Sequence, residues 1–165
     1  MQNPLWQKAV FLDRDGVLNE DPGDYTYSPE NFKVLDGVME SLLNWKQQDY
    51  KLIVITNQGG IAKGRYTVNE VEATHQYFQG LCIQNGFTID DFYFCPHHDQ
   101  ISTCLCRKPG SLMIEKALHK YKLNPNECLL IGDKPRDIEA ANAAGVRGVL
   151  VKTNEGLNPN LIVKH

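Results

Sequence analysis

Five short apolar runs alternate along this chain with longer stretches in which apolar residues recur at helical spacing. Runs that are hydrophobic throughout are typical of buried parallel strands, because helices cover both faces of a parallel sheet. Strands that alternate with helices are joined by right-handed crossovers and form a doubly wound, parallel α/β sheet. The predicted strands are residues 9–12, 51–55, 91–94, 128–131 and 147–151.

The stretches between these runs carry the start and stop signals of helices. Thr67 and Glu70 have the spacing of a capping box, which predicts a helix that reaches about Gln84. Pro135 is suited to the first turn of a helix, and Gly145 to the position just after its end. The other predicted helices are residues 38–48, 111–121 and 135–144.

Length, charge and hydropathy restrict the classes of function. A chain of 165 residues fits a single domain over residues 1–165. Seventeen basic against twenty acidic side chains give a net charge of −3, which argues against a nucleic-acid partner. The apolar runs are too short to cross a membrane, and the residues after Met1 lack the pattern of a signal peptide. We therefore expect a cytoplasmic monomer with no membrane partner.

Carboxylates follow two of the predicted strands. Asp13 and Asp15 come directly after the first strand, and because they are two positions apart in extended backbone they project to the same side. Asp133 follows another strand. Ligand sites of doubly wound sheets lie beyond the carboxyl ends of the strands, so these three side chains should meet. Clustered carboxylates repel one another unless a hard cation joins them, which predicts a site for Mg²⁺ and a substrate phosphate.

Residues at the same edge are suited to phosphoryl transfer. One carboxylate can attack phosphorus while a second protonates the leaving oxygen and later activates water. Thr56 and Asn57 can donate a hydroxyl and backbone N–H groups to phosphoryl oxygens, and Lys108 can offset the charge of the transition state. Taken alone, residues 13–16 are more typical of a turn than of a catalytic site, and Lys108 is equally typical of an exposed surface. Their combination favours a phosphate site.

Four potential metal ligands lie within twelve residues. Three thiolates and an imidazole suit tetrahedral Zn²⁺, and a set of four leaves no coordination position open, as in structural sites. His98 competes with His97 for the imidazole position, and the Cys-x-His turn favours His97. The same loop leads directly into Arg107 and Lys108, so we expect zinc to fix these two cations near the phosphate. The predicted zinc ligands are Cys95, His97, Cys104 and Cys106.

Four ordered motifs, at residues 11–19, 55–57, 107–109 and 131–137, resemble those of the haloacid dehalogenase (HAD) superfamily of phosphotransferases. The resemblance covers about residues 9–151 and implies a Rossmann-like α/β fold. It also implies that Asp13 is the nucleophile and Asp15 the general acid/base, while Thr56 and Lys108 stabilise the transferred phosphoryl group. Mg²⁺ would be held by Asp13, the main-chain carbonyl of Asp15, and Asp133.

The spacing of the motifs leaves no room for a separate cap domain. Asp15 and Thr56 are 41 positions apart, and Thr56 and Lys108 are 52 positions apart. Each interval is already filled by predicted helices, strands and loops. We therefore expect an uncapped HAD core with a zinc-binding loop. In such a core, short loops should recognise the substrate, here residues 20–32, residues 58–66 and the zinc-binding loop.

Within the superfamily, residues 56–67, 95–98 and 104–109 are most similar to D-glycero-D-manno-heptose-1,7-bisphosphate 7-phosphatases, cytosolic enzymes that act in heptose biosynthesis for lipopolysaccharide or glycoproteins. The resemblance implies a small phosphorylated metabolite, heptose 1,7-bisphosphate, as the substrate. Residues 21–27 and 108–113 depart from the pattern of this family. The residues that the resemblance places at the substrate are Asn19, Glu20, Asp21, Pro22, Asn57, Gln58, Gly59, Arg107 and Lys134.

Other functions also fit parts of the sequence. The short gap between the two halves of the zinc cluster is similar to that of histidinol-phosphate phosphatases, which makes histidinol phosphate the alternative substrate. An inactive, zinc-stabilised interaction module has no need of the complete set of polar residues at the strand ends. A nucleic-acid end-processing enzyme is disfavoured by the acidic net charge. The sequence therefore favours a Mg²⁺-dependent phosphatase of a small metabolite.

Overall fold

A computed structural model describes residues 5–163, so residues 1–4 and 164–165 of the predicted domain lie outside the described residues. The described chain contains one five-stranded sheet in the order β3-β2-β1-β4-β5. Every neighbouring pair of strands is parallel, which confirms the predicted doubly wound α/β architecture. The strands are β1 (Lys8–Leu12), β2 (Tyr50–Asn57), β3 (Asp91–Cys95), β4 (Leu129–Gly132) and β5 (Arg147–Leu150).

The helices begin and end close to the predicted residues. The Thr67 hydroxyl accepts a hydrogen bond from the Glu70 N–H, and the Glu70 carboxylate accepts one from the Thr67 N–H, which confirms the predicted capping box. None of the helices within residues 5–163 is long and apolar enough to cross a membrane. The helices are α1 (Val38–Gln47), α2 (Val68–Gln84), α3 (Leu112–Lys120) and α4 (Pro135–Ala143).

Two layers of helices sandwich the sheet. Successive side chains of a strand point to opposite faces, so Val10 of β1 packs with α1 and α2, whereas Phe11 packs with α3 and α4. Trp45 of α1 is fully buried in the first layer, and its indole N–H donates to the Pro159 carbonyl near the end of the described chain. This double cover rigidly positions the carboxyl ends of β1, β2 and β4, where the predicted site lies.

The prediction that all five strands are buried on both faces is wrong for β3 and β5. These are the two edge strands, and most of their residues remain partly or fully accessible. The side chain of Leu150 in β5 is 59% exposed. An edge strand has a neighbouring strand on one side only, and the helices that cover the central strands do not extend fully over it. Continuous hydrophobicity therefore identified the strands without distinguishing central from edge positions.

Candidate active site

The turn after β1 brings Asp13 close to the end of β4. The Asp13 N–H donates to the Ile131 carbonyl of β4 at 3.0 Å, which continues the pairing of the two strands by one residue. Gly16 in this turn has a φ of +87°, and a Cβ at this position would lie 2.4 Å from the Asp133 Oδ2. Both the backbone conformation and the close approach require glycine. The Asp-x-Asp-Gly turn is thus built to pack directly against Asp133.

Three carboxylates meet at this edge of the sheet. One oxygen from each of Asp13, Asp133 and Asp137 lies within 4.8 Å of the others, and all three residues are buried. The Asp133 Oδ1 is buried without a hydrogen-bond partner, whereas its Oδ2 accepts a bond from the Thr153 hydroxyl at 2.6 Å. An unpartnered buried carboxylate oxygen among other carboxylates is suited to a hard divalent cation. The predicted pairing of Asp13 with Asp133 is present, and Asp137 joins them although the sequence analysis gave it no role.

Lys108 is the buried cation of this cluster. Its Nζ lies 2.9 Å from the Asp13 Oδ1 and 2.6 Å from the Asp137 Oδ1, and it donates to the Ile55 carbonyl of β2 at 2.9 Å. Burial by itself would lower the pKa of Lys108. The effect of the two carboxylates is larger, so the pKa is raised above its usual value. Burial also raises the pKa of Asp13. The neighbouring Asp137 and Asp133 raise it further, whereas Lys108 lowers it. One lysine does not balance three carboxylates, which again fits a divalent cation.

The side chain of Asn57 holds the backbone of Lys108. Its Oδ1 accepts from the Lys108 N–H at 3.0 Å, and its Nδ2 donates to the Lys108 carbonyl at 3.1 Å. This two-point bond joins the end of β2 to the segment after the zinc cluster, so the amide group is engaged with the chain itself. Asn57 nevertheless borders the cavity described below.

The Asp15 carboxylate is fixed by donors on both oxygens. Its Oδ1 accepts from the Arg14 Nε at 3.1 Å, from the Arg14 Nη2 at 2.8 Å and from the Asn19 Nδ2 at 2.9 Å. Its Oδ2 accepts from the Gln58 Nε2 at 3.1 Å, and the same amide nitrogen donates to the Thr56 hydroxyl at 3.0 Å. Four donor contacts in a largely buried setting leave this carboxylate little rotational freedom.

The predicted zinc ligands come together as a compact set, and His98 stands outside it. The Cys95 Sγ lies 3.7 Å from the Cys104 Sγ, and the His97 Nδ1 lies 3.2 Å from the Cys106 Sγ. Such separations suit four ligands at Zn–S distances of about 2.3 Å and Zn–N distances of about 2.0 Å in a tetrahedron. Burial and the neighbouring Cys106 thiol raise the pKa of Cys95, so a bound cation would be needed to keep the Cys95 thiol deprotonated.

A cavity of about 400 Å³ opens over the carboxylate cluster. Ten of the predicted residues line it, including Asp13 and Asp15, the predicted nucleophile and the predicted general acid/base. The other predicted substrate residues lie elsewhere. Asn19 and Gln58 are buried behind Asp15, while Glu20 pairs with Lys33 and Pro22 is exposed. The predicted residues that line the cavity are Asp13, Asp15, Asp21, Thr56, Asn57, Gly59, Arg107, Lys108, Asp133 and Lys134.

Known proteins are similar to this chain over most of its length. A family model described as HAD-hydrolase-like matches residues 105–161. The D-glycero-beta-D-manno-heptose-1,7-bisphosphate 7-phosphatase of Haemophilus influenzae is 37% identical over 154 residues, which are 90% of this chain and 83% of that protein. The protein of the same name from Escherichia coli K12 is 36% identical over 158 residues, covering 92% of this chain and 82% of that protein.

The chain belongs to the heptose-1,7-bisphosphate 7-phosphatase family. Membership makes it a HAD-type phosphoric monoester hydrolase. The crystal structure of D,D-heptose 1,7-bisphosphate phosphatase from B. bronchiseptica, complexed with magnesium and phosphate, matches with a TM-score of 0.84 and 31% identity, covering 90% of this chain and 82% of that chain. Magnesium is thus a ligand of a family member of the same fold, and the carboxylate cluster here has the oxygen donors that this ion prefers.

Several residues of this heptose-phosphatase family member escaped the sequence analysis. Asp137 stands in the fourth motif at the third position of α4, and a signal was available, because an acidic residue in the first turn of a helix points its carboxylate back toward the strand end. Arg136 carries no comparable signal, since only the fold brings it to the cavity. Four further lining residues are not predicted individually, but they lie in two of the loops that are predicted to recognise the substrate. They are Gly23, Asp24 and Tyr25, in the loop of residues 20–32, and His98, in the zinc-binding loop.

Proposed function

We propose that this chain removes the 7-phosphate of D-glycero-D-manno-heptose 1,7-bisphosphate through an aspartyl-phosphate intermediate. The observation that carries the proposal is the cavity in which Asp13, Asp15 and Lys108 meet beside a carboxylate cluster. The names of the relatives at 36–37% identity support the substrate. In this proposal Asp13 is the nucleophile and Asp15 the general acid/base.

In the first half-reaction, a carboxylate oxygen of Asp13 attacks phosphorus. A bond forms between this oxygen and phosphorus, the ester bond to the sugar oxygen breaks, and the proton of Asp15 moves to the leaving oxygen. The Lys108 ammonium and the Thr56 hydroxyl are placed to balance the charge on the phosphoryl oxygens. The role of Asn57 is to hold the Lys108 backbone in register with β2.

In the second half-reaction, the Asp15 carboxylate removes a proton from water. The water oxygen bonds to phosphorus, the bond between phosphorus and Asp13 breaks, and inorganic phosphate leaves. Gln58 and Arg14 hold Asp15 through both steps. When bound by Asp13, the Asp15 carbonyl and Asp133, Mg²⁺ supplies positive charge that draws the phosphate toward the nucleophile and allows Asp13 to be ionised.

The rest of the substrate would be bound by the rim of the cavity. Arg107 and Lys134 line it with positive charge suited to a phosphorylated sugar, and Asp21 and Gly59 border it on other sides. We propose that Asn19, Glu20, Pro22 and Gln58 support this rim or Asp15 and do not contact the substrate, because the cavity lining does not include them.

We further propose that the Cys/His cluster binds one structural Zn²⁺ and thereby positions Arg107. The Arg107 N–H donates to the Cys104 Sγ at 3.4 Å, and the Arg107 Nη1 donates to the His97 carbonyl at 3.1 Å. Thiol ligands of this kind require a reducing compartment, so we propose that the enzyme acts in the cytoplasm, as a monomer without nucleic-acid or membrane partners.

Histidinol phosphate is the alternative substrate, because six residues separate His97 from Cys104. The test is a comparison of kcat/KM for heptose 1,7-bisphosphate, histidinol phosphate and other sugar phosphates, with the Asp13→Asn variant as the control. We expect the heptose bisphosphate to give the highest kcat/KM and the variant to be inactive. A higher kcat/KM for histidinol phosphate would replace the proposed substrate, and equal turnover by Asp13→Asn would overturn the mechanism.

A further inference from the structure

Asn154 bonds to the backbone of Asp21 at two points. The Asn154 Oδ1 accepts from the Asp21 N–H at 2.7 Å, and the Asn154 Nδ2 donates to the Asp21 carbonyl at 2.8 Å. The two residues are 133 positions apart, so the contact joins the segment after β5 to the loop after β1. Asn154 lies outside the four motifs and does not line the cavity.

Residues 21–25 form one wall of the cavity, and we call this segment the loop wall. Asp21 is its first residue. Asp21, Gly23, Asp24 and Tyr25 of the loop wall line the cavity. Within the loop wall, the Asp21 Oδ1 accepts from the Gly23 N–H at 2.9 Å. Most of these residues are accessible to solvent and none belongs to a helix or strand, so the position of the loop wall depends on side-chain contacts at its two ends.

The far end of the loop wall is held by the loop after β2. The Asp24 carboxylate pairs with Arg65 at 3.1 Å, and the ring of Tyr25 packs edge-on against Tyr66 with centroids 5.5 Å apart. Asn154 supplies the corresponding contact at the near end. The loop wall is therefore held at both ends, by the ion pair and the aromatic contact at the far end and by the two hydrogen bonds of Asn154 at the near end.

The backbone of Asn154 ties the same anchor to the catalytic turn. Its N–H donates to the Gly16 carbonyl at 2.9 Å, and its neighbour Thr153 donates to the Asp133 Oδ2. Asn154 has a φ of +65°, in the left-handed region that disfavours most side chains and that asparagine tolerates best among non-glycine residues. Asn154 thus makes three hydrogen bonds, two to Asp21 and one to Gly16. It thereby connects the loop wall to the turn that carries Asp13.

We propose that Asn154 is a positioning residue that sets the affinity for the sugar part of the substrate. The proposal rests on the proposed function, because it takes the loop wall to contact a polyhydroxylated phosphate ester. Carboxylates of the loop wall accept hydrogen bonds from hydroxyl groups, and the Tyr25 ring suits the C–H face of a sugar. Without the anchor, the loop wall occupies more conformations, and substrate binding must order it. Phosphoryl transfer at Asp13 does not depend on this step.

The experiment compares Asn154→Gly, Asn154→Asp and the control Asn158→Gly. Glycine keeps the left-handed backbone and removes both side-chain bonds, whereas aspartate keeps only the acceptor for the Asp21 N–H. Asn158 makes one side-chain bond to the Asn160 N–H in the same terminal segment and does not touch the loop wall. Each protein is assayed with heptose 1,7-bisphosphate and with p-nitrophenyl phosphate, which carries no sugar.

We expect Asn154→Gly to raise KM for the sugar phosphate about tenfold with kcat retained, as the loss of two ordinary hydrogen bonds would give. The aspartate variant should raise KM at least as much as glycine, because its second carboxylate oxygen would face the Asp21 carbonyl oxygen and repel it. The control should match wild type, and p-nitrophenyl phosphate kinetics should be unchanged. An unchanged KM for the sugar phosphate, or an equal loss with both substrates, would overturn the proposal.

A measurement without substrate separates this proposal from the proposed function. In amide hydrogen exchange, Asn154→Gly should lose the protection of the Asp21 and Gly23 N–H groups while the protection of β1 and β4 is retained. If wild type turns over another sugar phosphate in preference to the heptose bisphosphate, the proposed substrate fails, and the same KM comparison on that substrate still decides the role of Asn154. If the Asp21 N–H exchanges at the same rate in Asn154→Gly and in wild type, Asn154 does not anchor the loop wall, whichever substrate is found.

Discussion

The Lys108 Nζ lies 2.6 Å from the Asp137 Oδ1, and both side chains are completely or almost completely buried. The pair joins the segment after the zinc cluster to the first turn of α4. Asp137 also accepts a hydrogen bond from the Lys134 N–H at 3.1 Å through its other oxygen. Asp137 and Asp13 therefore share Lys108, which lies between the two carboxylates.

Replacement of Asp137 by asparagine should impair both catalysis and stability. The asparagine side chain keeps an acceptor for the Lys134 N–H but carries no charge. Lys108 would then pair with Asp13 alone, and this pairing would make the Asp13 carboxylate a weaker nucleophile. We expect kcat to fall at least about tenfold and the free energy of unfolding to fall by about 2 kcal/mol, as for the loss of one hydrogen bond to a charged group, because Lys108 keeps its pairing with Asp13. Steady-state kinetics and urea denaturation provide the measurements.

The matched control for this prediction is Asp91→Asn. Asp91 pairs with the exposed Lys120 at 2.8 Å, far from the cavity lining. Loss of this pair should cost less than about 1 kcal/mol and leave kcat unchanged. A wild-type kcat in Asp137→Asn would show that Asp137 has no part in positioning Lys108.

Replacement of Gln58 should lower kcat/KM most for substrates with poor leaving groups. Its amide bridges Asp15 and the Tyr66 hydroxyl, which donates to the Gln58 Oε1 at 2.6 Å. Gln58→Met keeps a similar volume and removes the donor to Asp15, so protonation of an alkoxide leaving group should slow by about tenfold or more in kcat/KM. p-Nitrophenyl phosphate, whose leaving group needs no proton, should lose much less.

Tyr66→Phe is the graded version of the same test. It removes only the hydroxyl that donates to Gln58. Its kcat/KM should therefore fall less than that of Gln58→Met, and again more for the sugar phosphate than for p-nitrophenyl phosphate. Equal losses for both substrates in Gln58→Met would mean that Gln58 supports the fold of the site and not the proton transfer of Asp15.

Removal of zinc should impair catalysis through Arg107 and Lys108, which follow the cluster directly. We expect one zinc per chain by elemental analysis, and a loss of activity of about tenfold or more after chelation that excess Mg²⁺ does not restore, as for other contacts that orient a metal or catalytic group. Cys104→Ser should lose zinc and activity together, whereas Cys128→Ala, at a buried thiol outside the cluster, should keep both. Full activity of the zinc-free protein would rule out the coupling.

Buried His75 should make the protein less stable as the pH falls. Burial lowers the pKa of His75 to about 3, and the Arg14 guanidinium adds to this effect while Asp15 opposes it. The Arg14 Nη1 lies 3.3 Å from the His75 Nε2, and the other ring contacts, Phe92 and Phe94, are uncharged. Because the folded-state pKa lies below that of the unfolded chain, the stabilisation is complete above about pH 6.5 and is lost as the pH falls toward about 3.

The measurement is the free energy of unfolding at about pH 7.5 and about pH 5 for wild type and His75→Gln. Glutamine keeps an acceptor for Arg14 and does not titrate, so it should lack about 2 kcal/mol of the acid-induced loss. The control His119→Gln, at an exposed position on α3, should behave as wild type. The same pH dependence in wild type and His75→Gln would contradict the prediction.

The sequence by itself determined the strands, the helices and the residues at the strand ends. These features are local: hydrophobic runs and capping residues act over a few positions, and parallel strands necessarily bring Asp13, Thr56 and Asp133 to one edge. The spacing of the cysteines and His97 determined the Cys/His cluster in the same way, because its four members lie close together in the sequence. The exposure of β3 and β5 was not local information, since it depends on their place in the sheet.

Only the tertiary structure decided which polar side chains face the substrate and which hold other residues. Gln58 and Asn19 stand beside cavity residues in the sequence, yet they turn inward to Asp15. Asp137 and Asn154 gain their roles from partners that are distant in the chain, Lys108 and Asp21. A hydrogen bond between distant residues depends on the path of every loop between them, and the pattern of neighbouring residues carries no record of that path.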